Sequence, residues 1–293
     1  MVINHNISAM ITQGSLYRTD RDLGKNLEKL STGLRINRAS DDAAGLGVSE
    51  NLRTQVRGTA QAMRNCQDGI AAINIAEGAA NEVSAILQRM RELAIQSAND
   101  TLTTVERSYT NQEFAALNSE IERIAQVTNY NGMKLLEGAG GTRFGNSDGT
   151  GPVGSGSVLW VDANAVRTVD SITVTIDTLS IACGVGSGIG TIDLRLDAGT
   201  FAVLAITSLD IAINSVNTMR SNMGALINRL EHAVNNLTIS NTNQQAAESA
   251  IRDVDFAKET SDYTKNQILM QSGTAMLAQA NLVPQSVLQL LGR

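Results

Sequence analysis

A few residues in this sequence have types and spacings that could support chemistry. The segment from Gly149 to Gly154 matches the GxGxxG pattern of a dinucleotide-binding loop. However, it follows no predicted strand, opens no predicted helix, and places Pro152 where a backbone amide would meet a phosphate. The carboxylates of Asp41 and Asp42 are adjacent in sequence, so they diverge on a helix and fit a helix cap better than an acid and base pair. Neither pattern predicts a catalytic or cofactor site.

The histidines and cysteines are too few and too scattered to form a reactive centre. His5 and His232 lack a nucleophile and an acid at spacings that would suggest a triad. Cys66 and Cys183 have no histidine nearby, so a zinc site is excluded by count. Cys66 lies on the apolar stripe of a long predicted helix, which predicts a small core residue. We therefore predict no enzyme activity, no metal and no cofactor.

Composition narrows the class of protein further. A net charge of -6 without an offsetting basic patch argues against nucleic acid as a partner. Only 3% of residues are aromatic and only two are proline, a balance that suits thin seams between helices. The first ten residues lack the basic and apolar regions of a secretory signal, and no apolar run is longer than Phe201 to Ile206. We expect no membrane-spanning helix, while export without a cleaved signal stays open.

The longest predicted element is a helix from Asp41 to about Ser97. Its apolar residues recur every three or four positions, and it contains no proline. At 1.5 Å per residue it would span about 80 Å, so its apolar face requires other long helices alongside.

Four more helical segments surround this one in the chain. We predict helices over residues 3–34, after a capping box at Thr103 and Glu106, from Thr207 onward, and from Ile251 to the end. The predicted fold is mainly α, a long antiparallel bundle or coiled coil that the N- and C-terminal halves form together.

The middle of the chain predicts a small β insert at about residues 138–206. Residues 138–156 are rich in glycine and cannot continue a helix. Alternating runs at 158–161, 172–176, 192–196 and 201–206 then favour short strands in a few hairpins.

Apolar stripes continue almost to both chain ends, and a soluble monomer rarely leaves such surfaces uncovered. We predict that they pack between subunits, and that a rod with unlike ends forms an open helical polymer. The predicted packing residues are Ile3, Ile7, Met10, Leu23, Leu27, Leu30, Leu34, Met270, Leu277, Val287 and Leu291.

Two long segments resemble a known family. The opening INHNISAM and the segment KLSTGLRINRASDDAAGLGVSENLRTQVRG, residues 29–58, resemble the N-terminal signature of bacterial flagellins. The segment ESAIRDVDFAKETSDYTKNQILMQSGTAMLAQANLVPQSVLQLL, from Glu248 to Leu291, resembles their C-terminal signature. The resemblance covers residues 1–137 and 207–293, and the short middle indicates a compact type with little or no outer domain.

The resemblance implies a secreted structural subunit that polymerises into the extracellular flagellar filament for swimming. It implies an inner coiled-coil domain of residues 1–40 and 255–293, surrounded by a helical rod domain of residues 41–254. The implied partners are copies of the chain, the flagellar type III export apparatus, a C-terminal export chaperone, the filament cap and the hook-filament junction proteins.

The resemblance also implies a host receptor. Residues 87–99, LQRMRELAIQSAN, resemble the stretch that a flagellin-sensing Toll-like receptor binds in some flagellins. Gln88, Arg89, Leu93 and Glu113 match that pattern in type. On the residues alone, Arg89 is an ordinary polar face and Leu93 belongs to a helix seam, and both interpretations can hold together.

Two other functions stay open at this point. A hook-filament junction protein has terminal helices of the same style, but here the match to flagellin extends deep into residues 41–130. A hydrolase seated in the β insert is the alternative from another class, and the insert's size and lack of clustered His, Glu or Cys argue against it.

Overall fold

The protein is built from long α-helices with two short hairpins. The computed structural model describes residues 6–136, 157–162, 170–174 and 199–291. Within these ranges the helices are α1 (Ile7–Thr32), α2 (Ala43–Ser97), α3 (Thr104–Val127), α4 (Gly199–Arg252) and α5 (Phe256–Leu291). The strands are β1 (Asn129–Tyr130), β2 (Met133–Lys134), β3 (Ser157–Trp160) and β4 (Ser171–Val174). This order confirms the predicted mainly helical fold with a small β element in the middle of the chain.

The start of α2 is fixed by the adjacent aspartates. Asp42 Oδ1 accepts a hydrogen bond from the backbone N–H of Gly45 at 2.9 Å, which satisfies a free donor of the first turn. Asp41 Oδ2 accepts from the backbone N–H of Arg38 at 3.0 Å, and this bond lowers the pKa of the Asp41 carboxyl. The pair therefore shapes the entry to α2, which confirms the predicted cap.

The chain forms two compact units. The first unit contains residues 1–56 and 242–293, and the second contains residues 57–241. In the first unit α1 packs against α5. Gly33 ends α1 in the left-handed conformation, at φ 73°, where its N–H donates to Lys29 O at 2.9 Å.

A short backbone ladder joins the two halves of the first unit next to Gly33. Leu34 and Asp253 form an isolated antiparallel bridge. On either side of it, the Arg35 N–H donates to Arg252 O at 2.7 Å and the Val254 N–H donates to Gly33 O at 3.0 Å. The ladder fixes where α5 starts relative to the end of α1.

The second unit has a continuous apolar core to which α2, α3 and α4 all contribute. Its largest fully buried side chains are Phe114, Ile73, Leu87, Met90, Leu93, Leu136, Met223, Leu230 and Val83. Cys66 lies in the same core with no exposed surface, and burial raises the pKa of its thiol. The prediction that Cys66 is a core residue is confirmed.

The capping box predicted for α3 is present. Thr103 Oγ1 accepts from the Glu106 N–H at 3.5 Å, and the Thr103 N–H donates to Glu106 Oε2 at 2.7 Å. After α3, strands β1 and β2 pair around Asn131 and Gly132, which have φ values of 50° and 77°. Asparagine and glycine tolerate these values best, so this turn has a local cause in the sequence.

The second hairpin rests on α2. Strands β3 and β4 pair in antiparallel register from Ser157 with Val174 to Trp160 with Ser171. Leu159 of β3 packs against Gly69 of α2. Both strands were predicted from alternating residues in the sequence, and both are confirmed.

One strand prediction is wrong, because residues 201–206 are the first turns of α4 rather than a strand. Phe201 and Val203 favoured a strand through their aromatic and β-branched side chains, yet both are exposed. Ala202 and Ala205 are fully buried, and their spacing continues the helical stripe to Leu209. The strand predicted at residues 192–196 lies outside the described residues.

Two helices are long and apolar enough to cross a membrane by composition alone. They are α2 and residues 201–252 of α4, with mean hydropathy of 1.2 and 1.3 in their most apolar windows of 18 residues. This is weak support for a membrane span, since the core helices of soluble proteins meet the same criterion. Here most buried apolar residues of both helices belong to the core of the second unit.

Gly69 provides a test of how the β3–β4 hairpin docks. A Cβ atom built on Gly69 would lie 2.3 Å from Leu159 Cδ1, so we expect Gly69→Val to push the hairpin off α2. Trp160 is the only tryptophan in the chain, so its fluorescence reports on this position. We expect its emission maximum to shift to longer wavelength as the ring becomes more exposed.

The matched control for this variant is Gly78→Val. Gly78 lies on the same helix, and nothing lies within 4 Å of a Cβ built on it. The control should leave the Trp160 emission unchanged. Unchanged emission in Gly69→Val as well would contradict the docking described here.

Loss of the capping box should weaken α3. Thr103→Ala removes the oxygen that accepts from Glu106 N–H, and we expect it to lower the free energy of unfolding by about 1 kcal/mol. Thr103→Ser keeps a hydroxyl and should retain most of this stability. Chemical denaturation of the three proteins measures the difference, and equal stability of Thr103→Ala and the parent would show that the cap contributes nothing.

Candidate assembly surface

The first unit contains a coiled-coil seam between α1 and α5. Half-buried or buried residues recur at alternating spacings of three and four on both helices, the period of a two-helix contact. The seam residues are Leu16, Thr19, Leu23, Asn26 and Leu30 on α1, and Glu259, Tyr263, Asn266, Met270, Gly273 and Leu277 on α5.

The two helices approach closely at two points that show their antiparallel register. A Cβ atom built on Gly273 would lie 2.7 Å from Leu16 Cδ1, so the absence of a side chain at Gly273 makes room for the leucine. Farther along, the Asn6 side-chain amide donates to Ala280 O at 2.9 Å. Asn6 also caps α1, because its Oδ1 accepts from the Ala9 N–H at 3.0 Å.

Many large apolar side chains of α1 and α5 do not enter this seam. They are between 47% and 71% exposed, although the second unit buries comparable residues almost completely. We call them the exposed apolar set: Ile7, Met10, Ile11, Tyr17 and Leu27 on α1, and Phe256, Ile268, Leu269, Met276 and Leu282 on α5. Burying one such side chain stabilises by about 1.5–3 kcal/mol, so this surface strongly favours association.

The structure divides the packing residues predicted from sequence between these two surfaces. Leu23, Leu30, Leu34, Met270 and Leu277 are half-buried within the subunit. Ile7, Met10 and Leu27 are exposed and therefore available to another copy. Ile3 and the side chains of Val287 and Leu291 lie outside what the structure describes.

Sequence reasoning did not single out several members of the exposed apolar set. Ile11 follows Ile7 by one helical turn, and Ile268 and Leu282 lie beside the predicted stripe of α5. In the sequence, the apolar residues of each helix form a stripe that is too broad for contact with a single partner helix. A stripe wide enough for two contacts would have indicated both the seam and a second apolar surface.

The four residues that resemble a receptor contact lie in the second unit, at the junction of α2 and α3. Arg89 binds Glu113 of α3 through Nε at 3.0 Å, and it binds Glu92 through Nη1 at 3.1 Å. The bond to Glu113 is the main reason that the pKa of Arg89 is raised. Gln88, Arg89 and Glu113 are exposed, whereas Leu93 is 2% exposed and belongs to the core.

Residues that could do chemistry are not brought together. Within the described ranges, no group of three His, Cys, Asp or Glu side chains could hold a metal ion. His232 is exposed on α4. The GxGxxG segment and His5 lie outside the described residues.

Two family models match most of the chain. The bacterial flagellin N-terminal helical region matches residues 3–140, and the bacterial flagellin C-terminal helical region matches residues 206–291. These ranges contain all of the described helices except the first seven residues of α4.

Individual relatives match along their whole length. The chain is 45% identical over 291 residues to flagellin FlaB2 of Treponema pallidum, a match that covers 99% of this chain and 100% of that protein. It is 47% identical over 291 residues to the flagellar filament 33 kDa core protein of Treponema phagedenis, with the same coverage. Flagellin of Bacillus subtilis is 45% identical over 312 residues, covering 99% of this chain and 100% of that protein.

A solved structure shows a related fold. A protein from Vibrio parahaemolyticus described as flagellar hook-associated aligns with a TM-score of 0.60, covering 73% of this chain and 100% of that chain. At 17% sequence identity this likeness concerns the fold alone. Because both family models and the full-length relatives agree, the chain belongs to the bacterial flagellin family.

Proposed function

We propose that this chain is a structural subunit that polymerises into the bacterial flagellar filament. The observation that carries the proposal is the exposed apolar set on α1 and α5, at the two chain ends where the sequence matches the flagellin models. The antiparallel seam buries one face of each helix and leaves the exposed apolar set in contact with solvent. Neighbouring copies supply that cover in a helical polymer.

The chain does mechanical rather than chemical work in this proposal. Side-by-side packing of long helices transmits torque along the filament, and catalysis has no part in it. The alternative of a hook-associated protein gains no support beyond fold, since the full-length relatives are flagellins and filament core proteins. A hydrolase in the insert gains none from the described residues.

The layered arrangement implied by the family resemblance remains part of the proposal. Residues 1–40 and 255–293 would form the inner layer, and residues 41–254 would form the layer around it. The compact unit that contains the terminal segments is larger, since it reaches Val56 and resumes at Thr242. Its extra residues contain the start of α2, the end of α4, and the residues 252–254 that pair with Gly33, Leu34 and Arg35 in the backbone ladder.

The other proposed partners act during export of the subunit and at the two ends of the filament. We propose export through the flagellar type III apparatus, with a chaperone that covers the exposed apolar side chains of α5 until release. The filament cap and the hook-filament junction proteins would then meet the subunit at the two ends of the polymer. Localisation in the extracellular filament follows from the same route.

A flagellin-sensing Toll-like receptor is a further proposed partner. It would contact the exposed Gln88, Arg89 and Glu113, with the buried Leu93 supporting the surface from beneath. Because Arg89 already pairs with Glu113 and Glu92, a receptor would meet a preorganised group of charges rather than a mobile arginine.

Charge placed in the exposed apolar set should stop polymerisation without unfolding the chain. Met10 and Met276 are each 65% exposed, so Met10→Asp and Met276→Asp should cost the monomer little. We expect at least a roughly tenfold fall in sedimentable polymer, because a carboxylate would have to be buried between copies. Gln271→Asp introduces the same charge at an exposed polar position of α5 and is the control. Normal filaments from both methionine variants would refute the proposal.

The receptor contact has its own test, which uses exposed residues because Leu93→Ala would also create a core cavity. We expect Gln88→Ala and Arg89→Ala to weaken binding of the purified receptor ectodomain, about tenfold for the charged Arg89. Arg91→Ala is the control, because it removes a comparable ion pair, that of Arg91 with Asp210 of α4 at 2.6 Å, from a position outside the proposed contact. If surface plasmon resonance gives equal affinities for the parent and both variants, these residues are not the contact.

A further inference from the structure

Two polar side chains are buried in the seam between α1 and α5. Asn26 of α1 and Glu259 of α5 are each only 9% exposed, while the seam on either side of them is mainly apolar or small. Burying an amide and a carboxylate is unfavourable unless both are hydrogen-bonded. The hydrogen-bond partners of Asn26 and Glu259 therefore determine which pairs of helices can form this seam.

The side chains that bond to Asn26 come from the opposite helix, and the backbone oxygen of Asp22 on its own helix is a further partner. In the amide orientation that satisfies its surroundings, Asn26 Nδ2 donates to Glu259 Oε1 at 3.0 Å and to Asp22 O at 3.1 Å. Its Oδ1 accepts from the side-chain amide of Asn266 at 3.1 Å. Lys29 Nζ lies 3.7 Å from Glu259 Oε1, one turn along from Asn26. We call Asn26, Lys29, Glu259 and Asn266 the polar layer.

The polar layer is complementary only when α1 faces α5. Helix α1 contributes an amide and an ammonium group, and α5 contributes a carboxylate and an amide. If α1 paired with α1 of a second copy, two ammonium groups would lie near the seam. The partner helix would then offer no carboxylate in place of Glu259 to accept the hydrogen bond from Asn26. If α5 paired with α5, two carboxylates would be buried together.

Like pairing is a real competitor, because each helix is apolar on more than one side. The exposed apolar set gives α1 and α5 further apolar surfaces, and apolar contact alone discriminates poorly between one helix and another. A buried asparagine in a coiled coil can select the partner and its register at a cost in stability. We propose that the polar layer selects α5 as the partner of α1 and rejects like pairing between copies. This goes beyond the proposed filament function and does not depend on it.

Disulfide trapping in the soluble full-length chain can measure partner choice. With Cys66→Ala and Cys183→Ala as background, Leu16→Cys and Gly273→Cys place one thiol on each helix where the two approach most closely. After mild oxidation, mass spectrometry of the digested protein counts unlike disulfides, between positions 16 and 273. It also counts like disulfides, which join position 16 to 16 or 273 to 273 of two copies.

We expect unlike disulfides to dominate in this reporter protein. Adding Asn26→Leu removes the selective amide, and we expect the ratio of like to unlike disulfides to rise about fivefold or more. Asn266→Leu disturbs the same layer from α5 and should raise the ratio in the same direction. Asn26→Leu leaves the buried Glu259 carboxylate without its amide donor, so the unfolding temperature should fall, and the disulfide ratio rather than stability is the readout.

Thr19→Leu is the matched control. Thr19 is a half-buried seam residue one heptad before Asn26, and its hydroxyl donates to Ser15 O of its own helix at 3.1 Å. The substitution adds the same apolar bulk but leaves the polar layer intact, so the ratio should not change.

Two results would overturn the proposal. One is a ratio within twofold of the reporter protein in both polar-layer variants, whether or not their thermal stability falls, since that pattern indicates ordinary hydrogen bonding. The other is an equal rise in Thr19→Leu, which would trace the effect to seam hydrophobicity. If Asn26→Leu fails to fold by circular dichroism, the Asn266→Leu variant decides between the outcomes.

Discussion

The first unit exposes more apolar surface than one antiparallel helix pair can bury, and we propose that polymerisation depends on this excess. Two helices in contact bury only one stripe of residues on each helix. In the seam between α1 and α5, several residues of that stripe are small or polar. Larger residues such as Met10, Tyr17 and Met276 stay exposed. The second unit differs because α2, α3 and α4 enclose a shared core. One chain therefore combines a core that is complete within the monomer with helices that require more copies.

Features with a local cause could be predicted from the sequence. The cap at Asp42, the capping box of Thr103 and Glu106, and the Asn131-Gly132 turn each depend on groups within a few residues of one another. The long helices were also predictable, because their apolar period continues and α1 to α4 contain no proline, while in α5 the period runs on past Pro284. The start of α4 was not, since exposed Phe201 and Val203 carry a strand signal while small buried alanines carry the helical one.

The division of the terminal stripes into seam and exposed surface could not be read from the sequence. Leu23 and Leu27 are both leucines in one heptad pattern, yet Leu23 enters the seam and Leu27 is 56% exposed. The choice depends on long-range pairs, such as Leu16 with Gly273 and Asn26 with Glu259, that become visible only when α1 and α5 are placed together. The burial of Leu93, one turn along α2 from the exposed Arg89, likewise requires knowing that α2, α3 and α4 share one core.

We infer that the terminal helices make the polymer while the second unit keeps its own core. Negative-stain microscopy of the chain lacking residues 256–293, together with its thermal unfolding followed by circular dichroism, tests this directly. We expect no filaments under conditions where the full chain assembles, while the remaining helices still unfold cooperatively. Filaments of normal width and abundance from the shortened chain would contradict it.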